Sequence, residues 1–410
     1  MASRTEPGLS AAHWTLPAVR SGRILSIDAM RALTVLVMVM VNEWSAVAGL
    51  PQWMGHMPAD VDAMTFVDAV LPSFLFIVGM SIPFALQQRF KAGDSGWQVQ
   101  GHVLLRAAGL VLIGFFMVNG GGGFHAPSMV LPVELWNLLC YAAAFLLWGS
   151  LTGGANLALP WRVGGLLLFA ALAWMYRGGA DGQGGMTPQW WGILGLIGWA
   201  YLIACLAYQA VRGHKLGLLA CIAACTAYFV ALRLPGVAAS PALSGFFSAD
   251  GHFVHASIAL CGALTSMIFF DESQSLSRRR RFAWALGLAL LLALAAAALR
   301  PEFKISKIYA TPSWALYSAA ASVLIFAMLY QWMDVMGRPL LTALLAPVAA
   351  NPLLAYLLPF VIGLLMQLFA WQWPLMLRSG GIGILFGAAY SVLISLLVKQ
   401  LASRGVRLSI

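Results

Sequence analysis

Apolar runs about as long as a lipid bilayer is thick recur throughout this chain, and they limit the available folds more than any other feature. A hydrocarbon core of about 30 Å needs about 20 residues of helix. Twelve stretches qualify, at roughly 32–50, 66–86, 103–119, 133–151, 162–176, 190–211, 216–234, 252–270, 282–299, 313–333, 351–371 and 380–400. The fifth is short, and residues 340–350 read as an early start of the eleventh through a broken helix, so the expected range is about 10–12 transmembrane helices. Inside lipid every backbone polar group must find its partner within the protein, which leaves helices or closed barrels. Runs of this length select helices. Apolar residues make up 61% of the chain and charged ones 9%, against about 25% charged in a soluble domain. A soluble enzyme, a disordered chain and a fibre are excluded. The expected fold is all-α, a polytopic integral membrane helix bundle, with a tail over 1–22, a single transmembrane domain over 23–401 and a second tail over 402–410.

Net charge is +10 from 24 basic and 14 acidic residues. With the N-terminus in the cytoplasm, 18 of the 24 basic residues fall on inner segments, as the positive-inside rule requires. The six exceptions are Arg177, Arg233, Arg300, Lys304, Lys307 and Arg378. Eight of the fourteen acids fall on or near the outer side, as do His56, His125, His252 and His255, making that side the expected chemical face. Residues 1–22 are polar, and the first apolar run lacks the short length and small-residue cleavage site of a removable signal. Basic stretches interleaved with aromatics are missing, so no nucleic-acid partner is expected. All five cysteines lie inside apolar runs with no metal-ligand or disulfide pattern. His252 and His255 stand at i, i+3 without a clear third ligand, so no metal is expected. No internal repeat relates the two halves, which weakens a transporter built from inverted repeats.

Candidate chemistry concentrates in two segments. In RILSIDAMRALTVLVMVMVN, residues 23–42, Arg23, Asp28 and Arg31 stand at the inner end of the first span, with Asp28 spaced i, i+3 from Arg31. Asn42 and Glu43 interrupt its outer end, where polar groups face a cavity or a partner; a hydrogen bond between helices is the competing role for Asn42. In GHMPADVDAMTFVDAVLPSFLFIVGMSIPF, residues 55–84, His56 lies in a short loop within reach of Asn42 and Glu43. An imidazole titrates near neutrality, which suits a general base or a transient acyl carrier. Asp68 is placed to orient it as in an Asp–His pair. A second tier consists of His125 near Glu134 and Asn137, and of Asp250 and His255 at the start of the eighth span, all read as polar lining of an acceptor pocket.

These segments resemble the catalytic membrane domain of the heparan-alpha-glucosaminide N-acetyltransferase family, within the wider transmembrane acyltransferase superfamily. The likeness rests on RILSIDAMRALTVLVMVMVN, the loop histidine and TFVDAVLPSFLFIVGMSI, with further agreement in KIYATPSWALYSAAASVLI (307–325) and NPLLAYLLP (351–359). It implies that His56 takes part in acetyl transfer, that Asn42 and Asp68 lie beside it, and that Lys307, Ser313 and Asn351 belong to substrate-binding stretches. Where that family follows its histidine with Trp-Gly-Thr, this chain has Met57-Pro58-Ala59. The resemblance implies acetyl-CoA as donor substrate, with Arg23, Arg31 or Arg89 available for its phosphates. It further implies an amine or hydroxyl of an envelope saccharide as acceptor, and a bacterial inner membrane location. Expected partners are the lipid bilayer and the saccharide, with room for a homo-oligomer. The donor either threads a channel from the inner side or acylates His56, and the sequence favours neither. The alternative function is a secondary transporter or flippase for a sugar-like or anionic substrate, suggested by the number of spans and the Pro-interrupted run from Asn351 to Pro359.

Overall fold

The computed structural model describes Val19 and residues 22–151, 158–234, 250–338 and 342–410. Thirteen α-helices are found among them: α1 Leu25–Trp44, α2 Val70–Lys91, α3 Gly96–Gly121, α4 Val133–Trp148, α5 Leu159–Met175, α6 Gly192–Ala210 and α7 Lys215–Ala231. After these come α8 Asp250–Phe270, α9 Arg278–Leu299, α10 Pro312–Leu329, α11 Thr342–Ala350, α12 Pro352–Leu368 and α13 Gly380–Ser403. Eight of the helices are long and apolar enough to cross a membrane. The pair α11–α12 forms a broken span bent by 96°, and α4, α5 and α7 are shorter apolar helices. The chain is thus a polytopic all-α membrane protein. The only strands among the described residues are Gly149–Ser150 and Arg407–Leu408, paired antiparallel.

The centre of the bundle is the α2–α8 crossing. Between apolar helices in lipid, association rests on close packing, which favours small residues at the contact. A Cβ on Gly79 would stand 1.8 Å from the Ala259 carbonyl oxygen, and one on Gly262 would stand 1.9 Å from that of Phe76. Glycine is the residue that permits this approach. Ser266 Oγ seals the contact by donating to the Met80 carbonyl at 2.8 Å. Helices α3 and α6 meet in the same way, through Gly114 and Gly195. By contrast α9 turns Leu286, Leu290 and Leu294 outward, as a lipid-facing helix does.

Helix α1 differs most from its sequence reading, starting at Leu25 rather than near residue 32 and ending at Trp44. The reason is tertiary. α10 continues through a π-helical turn, Tyr330–Val335, which aims Asp334 at the start of α1. Its carboxylate accepts from the backbone N–H groups of Leu25 and Ser26 at 3.2 and 3.0 Å. That cap satisfies donors which every helix start leaves open. Arg31 thereby lies well inside the helix, paired with Asp28 at 3.2 Å.

Element order and the inter-loop bonds define two ends of the bundle. One end gathers Arg23, Arg89, Lys215, Arg278 to Arg281 and Arg404, and there Lys215 Nζ donates to Asp271 at 2.8 Å. Lys215 and Ser273 hold the Asp271 carboxyl below its ordinary range despite its burial, which acts the other way. The other end joins the loop after α1 to the loop before α10.

Candidate active site

Residues 55–68 and 300–314 build the densest polar constellation at that second end. It begins with the entry to α2, where Thr65 and Asp68 have capping-box spacing. Thr65 Oγ1 accepts from the Val67 N–H at 3.2 Å, and Asp68 Oδ2 accepts from the Thr65 N–H at 3.0 Å. The same oxygen accepts from the Met57 N–H at 3.2 Å, which draws the loop back over the helix start. Thr65 Oγ1 also donates to the Gly55 carbonyl at 2.8 Å. Asp68 is 1% exposed, and its second oxygen, Oδ1, lies 2.7 Å from His56 Nδ1. The His56 side chain is 47% exposed. A buried carboxylate therefore holds one ring nitrogen while the rest of the ring faces out.

Lys307 completes the group from 251 residues away. Its Nζ lies 3.1 Å from His56 Nε2 and 3.2 Å from Nδ1. Near-equal distances to both nitrogens place the ammonium over the ring rather than on one lone pair. Burial pushes the Lys307 pKa below its ordinary 10.5, with Asp68 opposing the shift. The loop carrying Lys307 is clamped at several points. Arg300 Nε binds Asp62 at 3.0 Å, the Ile305 N–H donates to Asp62 at 2.8 Å, and Ser306 Oγ donates to the Ala59 carbonyl at 2.8 Å. The Ile305 N–H, more than the Arg300 pair, holds the Asp62 carboxyl below the usual range. Ser313 Oγ donates to the carbonyls of Phe303 and Lys304, and Trp314 Nε1 donates to the Asp68 carbonyl at 3.1 Å. Ser313 thus shapes the loop rather than facing the opening.

The remaining expected residues are spread around the bundle. Among the described residues no hydrogen bond joins Asn42 or Glu43 to His56; Glu43 lines a separate cavity with Arg378. His125 Nδ1 pairs with Ser128 Oγ at 2.8 Å. Asn137 donates to the Gly120 carbonyl at 3.0 Å, binding α4 to α3. Glu134 stands in the first turn of α4. His255 is buried, its Nδ1 2.6 Å from the Gly251 carbonyl and its ring edge-on to Trp314. The Asp250 side chain lies outside the described residues. Asn351 sits at the break between α11 and α12.

A second feature occupies the basic end. Arg89, His102, Arg106 and Arg162 border a cavity of about 440 Å³. It shares Ala85, Arg106, Tyr201, Ser409 and Ile410 with a deeper, mostly apolar cavity of about 350 Å³. Arg31 lines the deeper cavity, held by Asp28 and by Ser81 Oγ at 3.0 Å. Its α2 wall runs from Ala85 to Phe74, about 16 Å at 1.5 Å per residue. From Phe74 to Asp68 is a further stretch of about 9 Å on the same measure. Arg23 stands apart, exposed and paired with Asp28 at 2.6 Å. Arg106, His102 and Arg162 are cavity residues beyond those expected from sequence, because helix packing alone gathers them. Thr65 is likewise outside the residues expected from sequence, although its three-residue spacing to Asp68 is a local signal, whereas the Asp62–Arg300 clamp has none. Among the described residues no group of three or more potential metal ligands exists.

Comparison with known proteins finds a curated relative and a family model. The chain is 32% identical over 120 residues to heparan-alpha-glucosaminide N-acetyltransferase of Homo sapiens, a match covering 28% of this chain and 17% of that protein. The chain thus spans about one sixth of the length of the curated relative it matches. Residues 23–232, slightly more than half of the chain, match a family model described as a domain of unknown function, DUF5009. That range holds His56, Asp68, Arg31 and Arg89, while Lys307 and Arg378 come from beyond it. With its first helices, its loop histidine and its buried aspartate all inside the matched segment, the chain belongs to the DUF5009 family.

Proposed function

We propose that this protein is a membrane acyltransferase that moves an acetyl group from acetyl-CoA to an amine or hydroxyl of an envelope saccharide. The observation that carries the reading is the His56–Asp68–Lys307 constellation. A carboxylate on Nδ1 fixes the tautomer that leaves the Nε2 lone pair on the exposed side. Two routes use that atom. In direct transfer, Nε2 takes a proton from the acceptor as its nitrogen or oxygen attacks the thioester carbonyl; the C–S bond breaks and the CoA thiolate recovers the proton. In the two-step route, Nε2 attacks the thioester carbonyl and CoA leaves as thiolate; the acceptor then displaces the imidazole from the acetyl group, its proton passing to the freed Nε2 and from there to the thiolate. Each passes through a tetrahedral carbon bearing an oxyanion, and the Lys307 ammonium lies where it can balance that charge.

The donor fits the opposite end. Arg89, Arg106 and Arg162 suit phosphates, and the connected apolar cavity suits a long flexible arm that carries the thioester toward Asp68. On this reading the basic end faces the cytoplasm of a bacterial inner membrane, where the positive-inside rule puts it. The human relative is an N-acetyltransferase, which supports the reaction class. The test is incubation of the nanodisc-embedded protein with labelled acetyl-CoA and an amino sugar, followed by mass spectrometry of the sugar and of the His56 peptide. Acetylated sugar with CoA release is expected; intact acetyl-CoA throughout refutes the reading. The break at Asn351 favours a second reading, since transporters bind substrate at broken helices. Counter-flow of a sugar in vesicles without CoA release would select it.

A further inference from the structure

The end of the bundle that carries His56 has another polar opening, on the α12–α13 side of α1, whereas His56 stands on the α2–α10 side. Its volume is about 330 Å³. Glu43 enters it from the last turn of α1, Gln367 from the end of α12, and Trp371, Gln372, Trp373 and Arg378 from the connection to α13. That connection is fixed to α1, because the Ala48 N–H donates to the Arg378 carbonyl and the Gly380 N–H donates to the Ala48 carbonyl, both at 2.9 Å. Trp373 packs between Trp371 and Phe386, with ring centroids 4.7 and 5.0 Å away, so its plane is set. Trp371 is 54% exposed. Among the described residues the side chains of Glu43, Arg378, Gln367 and Gln372 make no hydrogen bond, although all four line one space.

The chemistry of that lining selects a ligand. An anion would meet the like charge of Glu43, and an acyl chain would call for apolar walls. Here a carboxylate, a guanidinium and two amides supply donors and acceptors in several directions, beside indole faces. A hydroxyl-rich ring uses that combination, with C–H faces on the indoles and hydroxyls on the polar groups. An amine on the ring gives Glu43 an opposite charge. The position adds a constraint. Trp44, next to Glu43, lies edge-on to Phe66 with centroids 6.1 Å apart, and Phe66 adjoins Thr65 of the His56 loop. A layer of aromatic rings thus separates this cavity from the loop that carries His56.

We propose that this cavity is an oligosaccharide subsite, holding an amino-sugar unit that neighbours the unit presented to His56, with Glu43 on the amine and Trp371 under the ring. Its place in the reaction rests on the acyltransferase reading, whereas sugar binding does not. The test uses the full chain in nanodiscs and a β-1,4-linked glucosamine disaccharide, followed by calorimetry. Saturable binding is expected, weakened about tenfold in Glu43→Gln and in Trp371→Ala and restored by Trp371→Phe. In transfer assays the disaccharide should have a lower KM than glucosamine, and Glu43→Gln should erase that difference. Equal binding by wild type and both variants overturns the proposal. So does a wild type that binds no sugar but retains a phospholipid that Arg378→Gln releases. Binding that depends on Glu43 and Trp371 without any acetyl transfer would leave the subsite standing and remove the acyltransferase reading.

Discussion

Replacing Asp68 by Asn preserves the volume of a buried side chain while changing what its two ends can do. In the wild type Oδ2 accepts from two backbone N–H groups, of Met57 and Thr65, and Oδ1 faces His56 Nδ1. An asparagine keeps one oxygen, and the two backbone donors claim it. Its amide nitrogen then faces Nδ1 and must donate, so the imidazole proton moves to Nε2. The lone pair needed on the exposed nitrogen is lost while the ring stays in place. Positioned proton transfer contributes about 10²–10⁴-fold, and a wrong tautomer in an Asp–His pair falls at the upper part of that range. The rate of labelled acetyl transfer should therefore drop at least 10²-fold. Loss of charge assistance costs about 1–2 kcal/mol, so the nanodisc-embedded variant should melt only a few degrees lower and still bind acetyl-CoA. A variant with wild-type turnover would show that Asp68 is a loop cap and no more.

His56→Ala should also lower transfer by about 10²-fold or more with little change in melting, because the ring is half exposed and holds no core together; full transfer by that variant would move the chemistry elsewhere. Lys307 supplies the pH signature: burial lowers its pKa from 10.5, so its ammonium is lost as pH rises through that lowered value, and the alkaline limb of the rate should fall below 10.5. In that window the unfolded chain binds more protons, so stability rises with pH while activity declines. Lys307→Arg should shift the limb upward, and identical limbs in the two proteins would separate Lys307 from the reaction. Arg89→Gln and Arg106→Gln should each raise the KM for acetyl-CoA about tenfold with a smaller effect on kcat, and more so at low salt; unchanged KM in both would place the donor in another cavity.

The sequence alone determined that this chain is a helical membrane protein, because hydrophobicity over about 20 residues is a local property and lipid leaves a backbone few options. It also determined much of the entry to α2. Asp68 and His56 are only 12 residues apart, and a short loop leading into a helix brings such neighbours together whatever the rest of the bundle does. The break at Asn351 was legible too, since Pro352 restricts the residue before it. Tertiary structure decided everything that depends on crossing angles and interhelical distance. Asp334 moved the start of α1 seven residues toward the N-terminus from the far end of α10. Glu43, close to His56 in sequence, faces Arg378 and two tryptophans instead, because the end of α1 directs successive side chains to different neighbours. Lys307 reached the imidazole through the Asp62–Arg300 clamp, a pairing of residues 238 apart. Arg89, Arg106 and Arg162 became one cavity wall because α2, α3 and α5 converge at the basic end. Periodicity states which residues a helix buries; the partners that charged side chains meet are set by close packing at contacts such as Gly79–Ala259, which no local pattern encodes.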